Sequence, residues 1–438
     1  MLNLSLGMNL WEEANYYIPG GSMLLSKNKN LFSPEYWPCY YKKAKGYVVE
    51  DLDGNQFIDF ASNGIGACTL GFANTEVDEH VIKTVKNGVM SSLNCPAEVA
   101  LAKALVDLHP WSDMVRFART GGEANAISIR IARAASGRDK VAICGYHGWH
   151  DWYLAANIAD NDQLGEHLLE GLGSKGVPSI LKDTVIPIRY NNFDDLEKIK
   201  LNDDIGVLKM EPTRMFKPAN GYLESIREIC DNKGIILIFD ECTSGFREAN
   251  GGVHLNSPVA PDMCILGKAL GNGYAITAVL GRRDIMEHAI DTFISSTFWT
   301  EAIGPNAALK TLEIIDRETT WLTLPNLGKQ VKEIWMKYGA DYQIELDVSG
   351  LDALPVFRFT GDNSSILKTA FTEMMLDRRI LATTQFYPSI AHDSNSINLY
   401  ASAVKNVFSK ISDYLNQNLP VHKLCIGKIC KPSFKRLN

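Results

Sequence analysis

An α/β fold with a mostly parallel sheet is what this 438-residue sequence predicts, and three features predict it. From about residue 100 to 285, short apolar runs alternate with longer stretches of helical period. The runs are aliphatic at successive positions, as strands buried on both faces are. Beyond Arg317 the pattern changes to amphipathic stretches flanking short strand-like pieces, which marks a second, smaller α+β domain.

The elements follow in chain order. "GYVVEDLDGNQFIDF" (46–60) reads as a hairpin turning at Asp53-Gly54. "EANAISIRIARAAS" (123–136) and "YLESIREICDNK" (222–233) read as helices, and "KVAICGY" (140–146), "DIGVLKMEP" (204–212), "GIILIFDE" (234–241) and "MCILGKA" (263–269) as buried strands. "LGKQVKEIWMKYG" (327–339) and "AVKNVFSKISDYLNQ" (403–417) are amphipathic, with the strand-like "LPVFRFT" (354–360) between them. The expected organisation is an N-terminal segment, 1–65, contributing to the small domain, a large α/β domain, 66–317, and a C-terminal α+β small domain, 318–438.

Composition narrows the function. A chain that is 46% hydrophobic and 22% charged is an ordinary globular protein with room for two cores. A net charge of −7 leaves no basic footprint for nucleic acid. No apolar run approaches the about 18 residues of a membrane span, so no membrane partner is expected. "MLNLSLGMNLWEEANYY" carries neither a basic leader nor a cleavage site, and nine cysteines without a CxxC pair fit free thiols in a reducing compartment. The expected location is the cytoplasm.

The chemistry begins at "ILGKALGNGYAITAVLG" (265–281), where Lys268 is the one charged side chain. A lysine among aliphatics is usually a stem that snorkels to water. Here no acidic residue occurs from Met263 to Gly281 to pair with it, and a buried unpaired lysine loses its proton readily. The neutral amine is a nucleophile that forms Schiff bases with carbonyls, pyridoxal phosphate among them. That role requires a phosphate cradle, a partner for the pyridine nitrogen and a group lying on the ring.

Candidates for all three are present. In "FARTGGEANAISIR", Thr120 and Glu123 have capping-box spacing, so a helix begins with Gly121 and Gly122 in its first turn, where backbone N–H groups and the helix dipole favour an anion. A plain helix cap would look the same. In "ICGYHGWHDWY", Tyr146 and His147 stand at a strand's C-terminal end, where a tyrosine can stack on a flat heterocycle. His147, His150 and Asp151 could instead hold a metal, but their spacing is not that of a helical zinc motif and no second cluster completes it, so no metal is expected. In "GIILIFDECTSGFRE", Asp240 ends a buried strand and is placed to keep a ring nitrogen protonated. Two residues on, Cys242 lies on the same side of an extended chain.

Together with "MEP" and "STFWTEAIGPNAALKTLE", these motifs resemble, in order and approximate spacing, the class III pyridoxal phosphate aminotransferases, and among them the glutamate-1-semialdehyde aminomutases, including "YIPGGS" near the start. The resemblance covers roughly residues 15 to 400. It implies fold type I, a homodimer with active sites at the subunit interface, and Lys268 as the Schiff-base lysine in ping-pong amino transfer. It implies phosphate binding by Gly121 and Gly122 beside Thr120, stacking by Tyr146, a ring-nitrogen contact from Asp240 and packing of Cys242 on the ring's second face. It also implies Glu211 and His147 near the cofactor, and Ser296 and Thr297 in the cofactor-binding set, Thr297 reaching the neighbouring subunit's phosphate.

The sequence departs from that pattern in places. Thr-Gly-Gly stands where the family has Ser-Gly-Thr, and Cys242 where it has valine. Thr213-Arg214 follows "EP", Tyr387 falls about where the aminomutases place a glutamate, and Lys27 about where they have an arginine. Lys27, Arg214 and Tyr387 are therefore the candidate substrate residues. They point to an anionic substrate, either an amino acid with a free carboxylate or a phosphorylated or nucleotide-linked amino compound. A racemase or epimerase on the same scaffold is the alternative. A nucleotide-binding protein would need a G-x-G-x-x-G or a Walker lysine, and neither is present. An inactive relative would be expected to have lost Lys268 or Asp240.

Overall fold

A computed structural model describes residues 2–159, 164, 172–213 and 215–432. They form two compact units, one of residues 75–322 and one of residues 1–74 with 323–438. The divisions expected at 65/66 and 317/318 fall nine and five residues before these. The observed division at 322/323 lies inside the helix Thr320–Asp341, where composition does not change.

In the smaller unit, strands β1 (Tyr41–Lys45), β2 (Val48–Asp51) and β3 (Gln56–Phe60) run antiparallel in succession. The β2–β3 turn holds Gly54 at φ 83°, a left-handed conformation that a residue without Cβ adopts freely. The Asp53 carboxylate accepts from the N–H groups of Leu6 and Gly7 at 3.1 and 3.2 Å, at the start of the helix Ser5–Tyr17, so the turn also caps a helix.

The larger unit carries β4 (Met114–Ala118), β5 (Lys140–Cys144), β6 (Val185–Pro187), β7 (Ile205–Met210), β8 (Ile236–Glu241), β9 (Met263–Leu266) and β10 (Thr277–Gly281) in one sheet, ordered β4-β10-β9-β8-β7-β5-β6. Pairing is parallel from β6 to β9, and β10 runs antiparallel to both its neighbours. Every residue of β7, β8 and β9 is buried, as the unbroken apolar runs require. The helix Gly121–Ser136 lays Ala124, Ile127, Ile131 and Ala132 on one face against Ile143, Val207, Ile238, Ile265 and Val279. Crossovers of this kind leave the C-terminal ends of β5, β7, β8 and β9 together at one edge, where open α/β sheets bind ligands.

The chain returns to the smaller unit with β11 (Leu346–Leu351) and β12 (Leu354–Phe359), a hairpin, and β13 (Ile380–Ala382), which adds to β3 in parallel. Its core stacks Phe60 on Phe386 and Tyr400, whose hydroxyl accepts from buried Trp335 Nε1 at 2.8 Å.

Candidate active site

The capping box is formed. Thr120 is the N-cap of the helix Gly121–Ser136, its Oγ1 accepts from Glu123 N–H at 3.3 Å, and Glu123 Oε2 accepts from Thr120 N–H at 2.8 Å. The box consumes those donors and leaves the N–H groups of Gly121 and Gly122 without an acceptor among the described residues. A Cβ on Gly121 would lie 2.9 Å from Cys242 Sγ, and one on Gly122 2.7 Å from His150 Cε1. A side chain at either glycine would collide with these neighbours at the helix N-terminus.

The segment after β5 turns at Gly145, with φ 115°, where a Cβ would lie 2.7 Å from Glu211 Oε2. That approach lets Glu211, buried just past β7, accept from Tyr146 N–H at 3.0 Å. Tyr146 is half-buried, its ring edge-on to Tyr153. His147 is fully buried between Trp152 and Tyr153, and its Nδ1–H donates to Asp240 Oδ2 at 2.8 Å. His147 Nε2 is buried with no hydrogen-bond partner among the described residues.

Asp240 ends the buried strand β8, paired with Ile265 of β9. Burial alone would raise its pKa, but the hydrogen bond from His147, the charge of Lys209 and the N–H of Cys242 at 3.1 Å hold the carboxyl down at about 2. It is a committed anion. The half-buried Cys242 thiol beside it is pushed up, by burial first and then by Asp240's charge, so it remains a thiol.

Lys268 follows the end of β9. The sequence points to a buried lysine without a partner, but the side chain is half-buried and its Nζ donates to Thr243 Oγ1 at 2.5 Å, because the chain after β8 turns back to place Thr243 beside β9's end. Two adjacent strand ends thus present Asp240 and Lys268.

These residues fit pyridoxal phosphate. Two glycines keep side chains away from a helix N-terminus, an ionised carboxylate is buried at a strand end, a lysine stands one strand away, and His147 Nε2 is an unsatisfied polar atom beside them. The sequence model described as Aminotransferase class-III matches residues 32–380. The chain belongs to that family.

As a class-III aminotransferase, it is a pyridoxal phosphate-dependent enzyme of amino transfer. It is 33% identical over 382 residues to 3-aminobutyryl-CoA aminotransferase of Cloacimonas acidaminovorans, covering 85% of this chain and 88% of that one. It is 32% identical over 362 residues to glutamate-1-semialdehyde 2,1-aminomutase of Methanothrix thermoacetophila, covering 81% and 82%. Among solved structures it superposes on the PLP-bound FumI protein of Sphingopyxis sp. MTA144 with a TM-score of 0.86, at 23% identity over 96% of this chain and 99% of that one. An omega-transaminase from Sphaerobacter thermophilus gives a TM-score of 0.81, 23% identity and coverage of 93% and 98%. These structures share its fold.

The other candidate residues fall in both units. Ser296 and Thr297 are exposed at the start of a short helix whose Trp299 donates to Glu123 Oε1 of the capping box at 3.3 Å. In the smaller unit, Lys27 is exposed and acts on the charge of buried Asp59. Tyr387 is buried against Leu351 and Leu354, its N–H donating to Ala61 O at 2.9 Å. Arg214 lies outside the described residues.

Sequence reasoning missed three features of the larger unit. Thr243 is one. Another is a buried network in which Glu241 Oε1 accepts from His254 Nδ1–H at 2.5 Å, Glu241 Oε2 accepts from Ser244 Oγ at 3.0 Å, and His254 Nε2 accepts from Trp111 Nε1 at 2.8 Å. Cys264 completes a group of metal-ligating types there, but these protein partners already engage Glu241 and His254, and the network pins the chain that follows β8. The third is Lys209, fully buried in β7. Its signal was present in "DIGVLKMEP", a lone cation among aliphatics, as Lys268 is in its own run.

Proposed function

We propose that the protein transfers an amino group from an anionic amine to a carbonyl acceptor, with pyridoxal phosphate linked covalently to Lys268. The observation that carries this reading is the pairing of β8 with β9, which sets an ionised Asp240 and the Lys268 amine on neighbouring strand ends. Bound pyridoxal phosphate supplies an electron sink for the carbanion left when the substrate's α-proton departs. Asp240 holds the ring nitrogen, and His147 orients the Asp240 carboxylate. The N–H groups of Gly121 and Gly122 would receive the phosphate, and Tyr146 and Cys242 would pack against the ring. Lys268 Nζ would hold the cofactor and, as the amine nearest to it, could take up and return a proton, with Thr243 Oγ1 accepting a hydrogen bond from it.

Lys27, Arg214 and Tyr387 are the proposed readers of substrate. The positive charges of Lys27 and Arg214 and the loss of a carboxylate at Tyr387 favour an anionic substrate, and the similarity to 3-aminobutyryl-CoA aminotransferase supports an amino acid carried on a nucleotide-linked thioester. Steady-state assays compare β-amino acyl thioesters of coenzyme A with free amino acids as donors. A preference for the free amino acids, or amino migration within a single substrate, overturns this substrate assignment.

The working unit in this proposal is a homodimer in the cytoplasm. Ser296 and Thr297 sit beside Phe293, 89% exposed, and Phe298, 68% exposed, an apolar surface suited to burial against a second copy. All nine cysteines are free, which suits a reducing compartment.

A further inference from the structure

Strand β7 carries a cation where the sheet offers no water. Lys209 is fully buried, and its Cα is in register with Ile238 of β8. Asp240 stands two residues farther along β8, so Lys209, Ile238 and Asp240 project to the same face of the sheet. The helix Gly121–Ser136 covers that face. Its buried Ser128 accepts from Lys209 Nζ at 3.1 Å and donates its own hydroxyl proton to Asn125 O at 2.8 Å.

One neutral hydroxyl does not compensate a buried ammonium. A charge in that position requires a counter-charge or loses its proton. The carboxylate whose charge acts on Lys209 is that of Asp240, and the other titratable groups acting on it are the thiols of Cys264 and Cys242. Asp240 in turn feels His147 and Lys209.

We propose that Lys209 is a positioning residue for Asp240, supplying the buried counter-charge that keeps this carboxylate ionised before a cofactor ring arrives. This rests on the reading of Asp240 as the ring-nitrogen partner. With Lys209 present, the cofactor-free site is electrically balanced and presents an anion. With Lys209 made neutral, the coupled Asp240–His147 pair must bind a proton to remain buried. That proton is then already in place when the cofactor enters.

The test is a proton count. Pyridoxal phosphate is titrated calorimetrically into full-length, cofactor-free protein at pH 7 in buffers of different ionisation enthalpy, which gives the protons taken up on loading. Lys209→Met keeps the volume and removes the charge, and Lys209→Gln, which can still hydrogen-bond Ser128, is measured alongside in case the first does not fold. Each variant should take up roughly one proton per site fewer than the wild type. In an Asp240→Asn background, Lys209→Met should leave the count unchanged. An equal count in wild type and variants overturns the proposal, as does an undiminished effect of Lys209→Met without Asp240. Borohydride labelling of Lys268 in the wild type separates the two readings. Label present with equal counts removes the role of Lys209 alone, whereas absence of label removes the cofactor assignment.

Discussion

His147 Nδ1 lies 2.8 Å from Asp240 Oδ2, and both side chains are buried. The histidine comes from the turn after β5 and the aspartate from the end of β8, with β7 between these strands in the sheet. The contact fixes the direction of the carboxylate that is proposed to hold a ring nitrogen, and it does so through a charge-assisted hydrogen bond.

Asp240 should therefore leave a signature in both catalysis and acid stability. Asp240→Asn should lower kcat by about 10²–10³-fold, the usual loss when one preorganised electrostatic partner is removed. Its folded pKa of about 2 is below the ordinary 3.8, so its contribution is present above pH 4 and is lost as pH falls toward 2. Denaturant unfolding at pH 6 and pH 2.5 should show the wild type losing about 2 kcal/mol more than Asp240→Asn over that window. Equal losses would mean that Asp240 is not held as an anion.

Lys209 acts at the other end of the pH scale. Burial pushes its ammonium down to about 8 against an ordinary 10.5, with Asp240 opposing the shift. Between these values the unfolded chain binds a proton that the folded one does not, so stability from this group rises with pH from 8 to 10.5. Lys209→Met should remove up to about 3 kcal/mol of that rise, read as the difference between the two proteins' unfolding free energies across the window.

Gly122 tests the cradle. An added methyl would stand 2.7 Å from His150 Cε1, at the first turn of the helix. Gly122→Ala should preserve the far-ultraviolet spectrum while weakening cofactor affinity by about tenfold or more, since a lost or misaligned charge-assisted hydrogen bond costs about 1.5–3 kcal/mol. Unchanged affinity by fluorescence titration would move the phosphate away from this turn.

Much of this was legible in the sequence, and its limits are physical. The capping box at Thr120 and Glu123 and the turn at Asp53-Gly54 depend on contacts within a few residues, so residue types alone locate them. Strands β7, β8 and β9 show as unbroken aliphatic runs because water reaches neither face. Strand β10 does not stand out, since "TAVLG" follows a glycine-rich turn and reads as part of one motif with Lys268. Its antiparallel place between β4 and β9 is a long-range choice. Thr243 became a partner of Lys268 only through the fold of the chain after β8, which Glu241 and His254 hold. Lys209 was overlooked because a single lysine in a strand is read as an interruption of the run, although full burial turns it into a charge that must be answered.

Thr297 bears on assembly. It is exposed beside Phe293 and Phe298, and the proposed dimer places it at the partner's phosphate. Thr297→Ala should raise the cofactor dissociation constant severalfold, and dilution of the wild type to monomers, followed by sedimentation and absorbance together, should release cofactor as dimers separate. A monomer that retains its full cofactor complement contradicts the shared site.

The central claim is that Lys268 carries the cofactor. Borohydride reduction of the loaded protein, followed by proteolysis and mass spectrometry, reads the covalent link directly. The account predicts a phosphopyridoxyl label on the peptide containing residue 268 and none on Lys209. A label on any other lysine, or none on protein shown by absorbance to hold the cofactor, would contradict it.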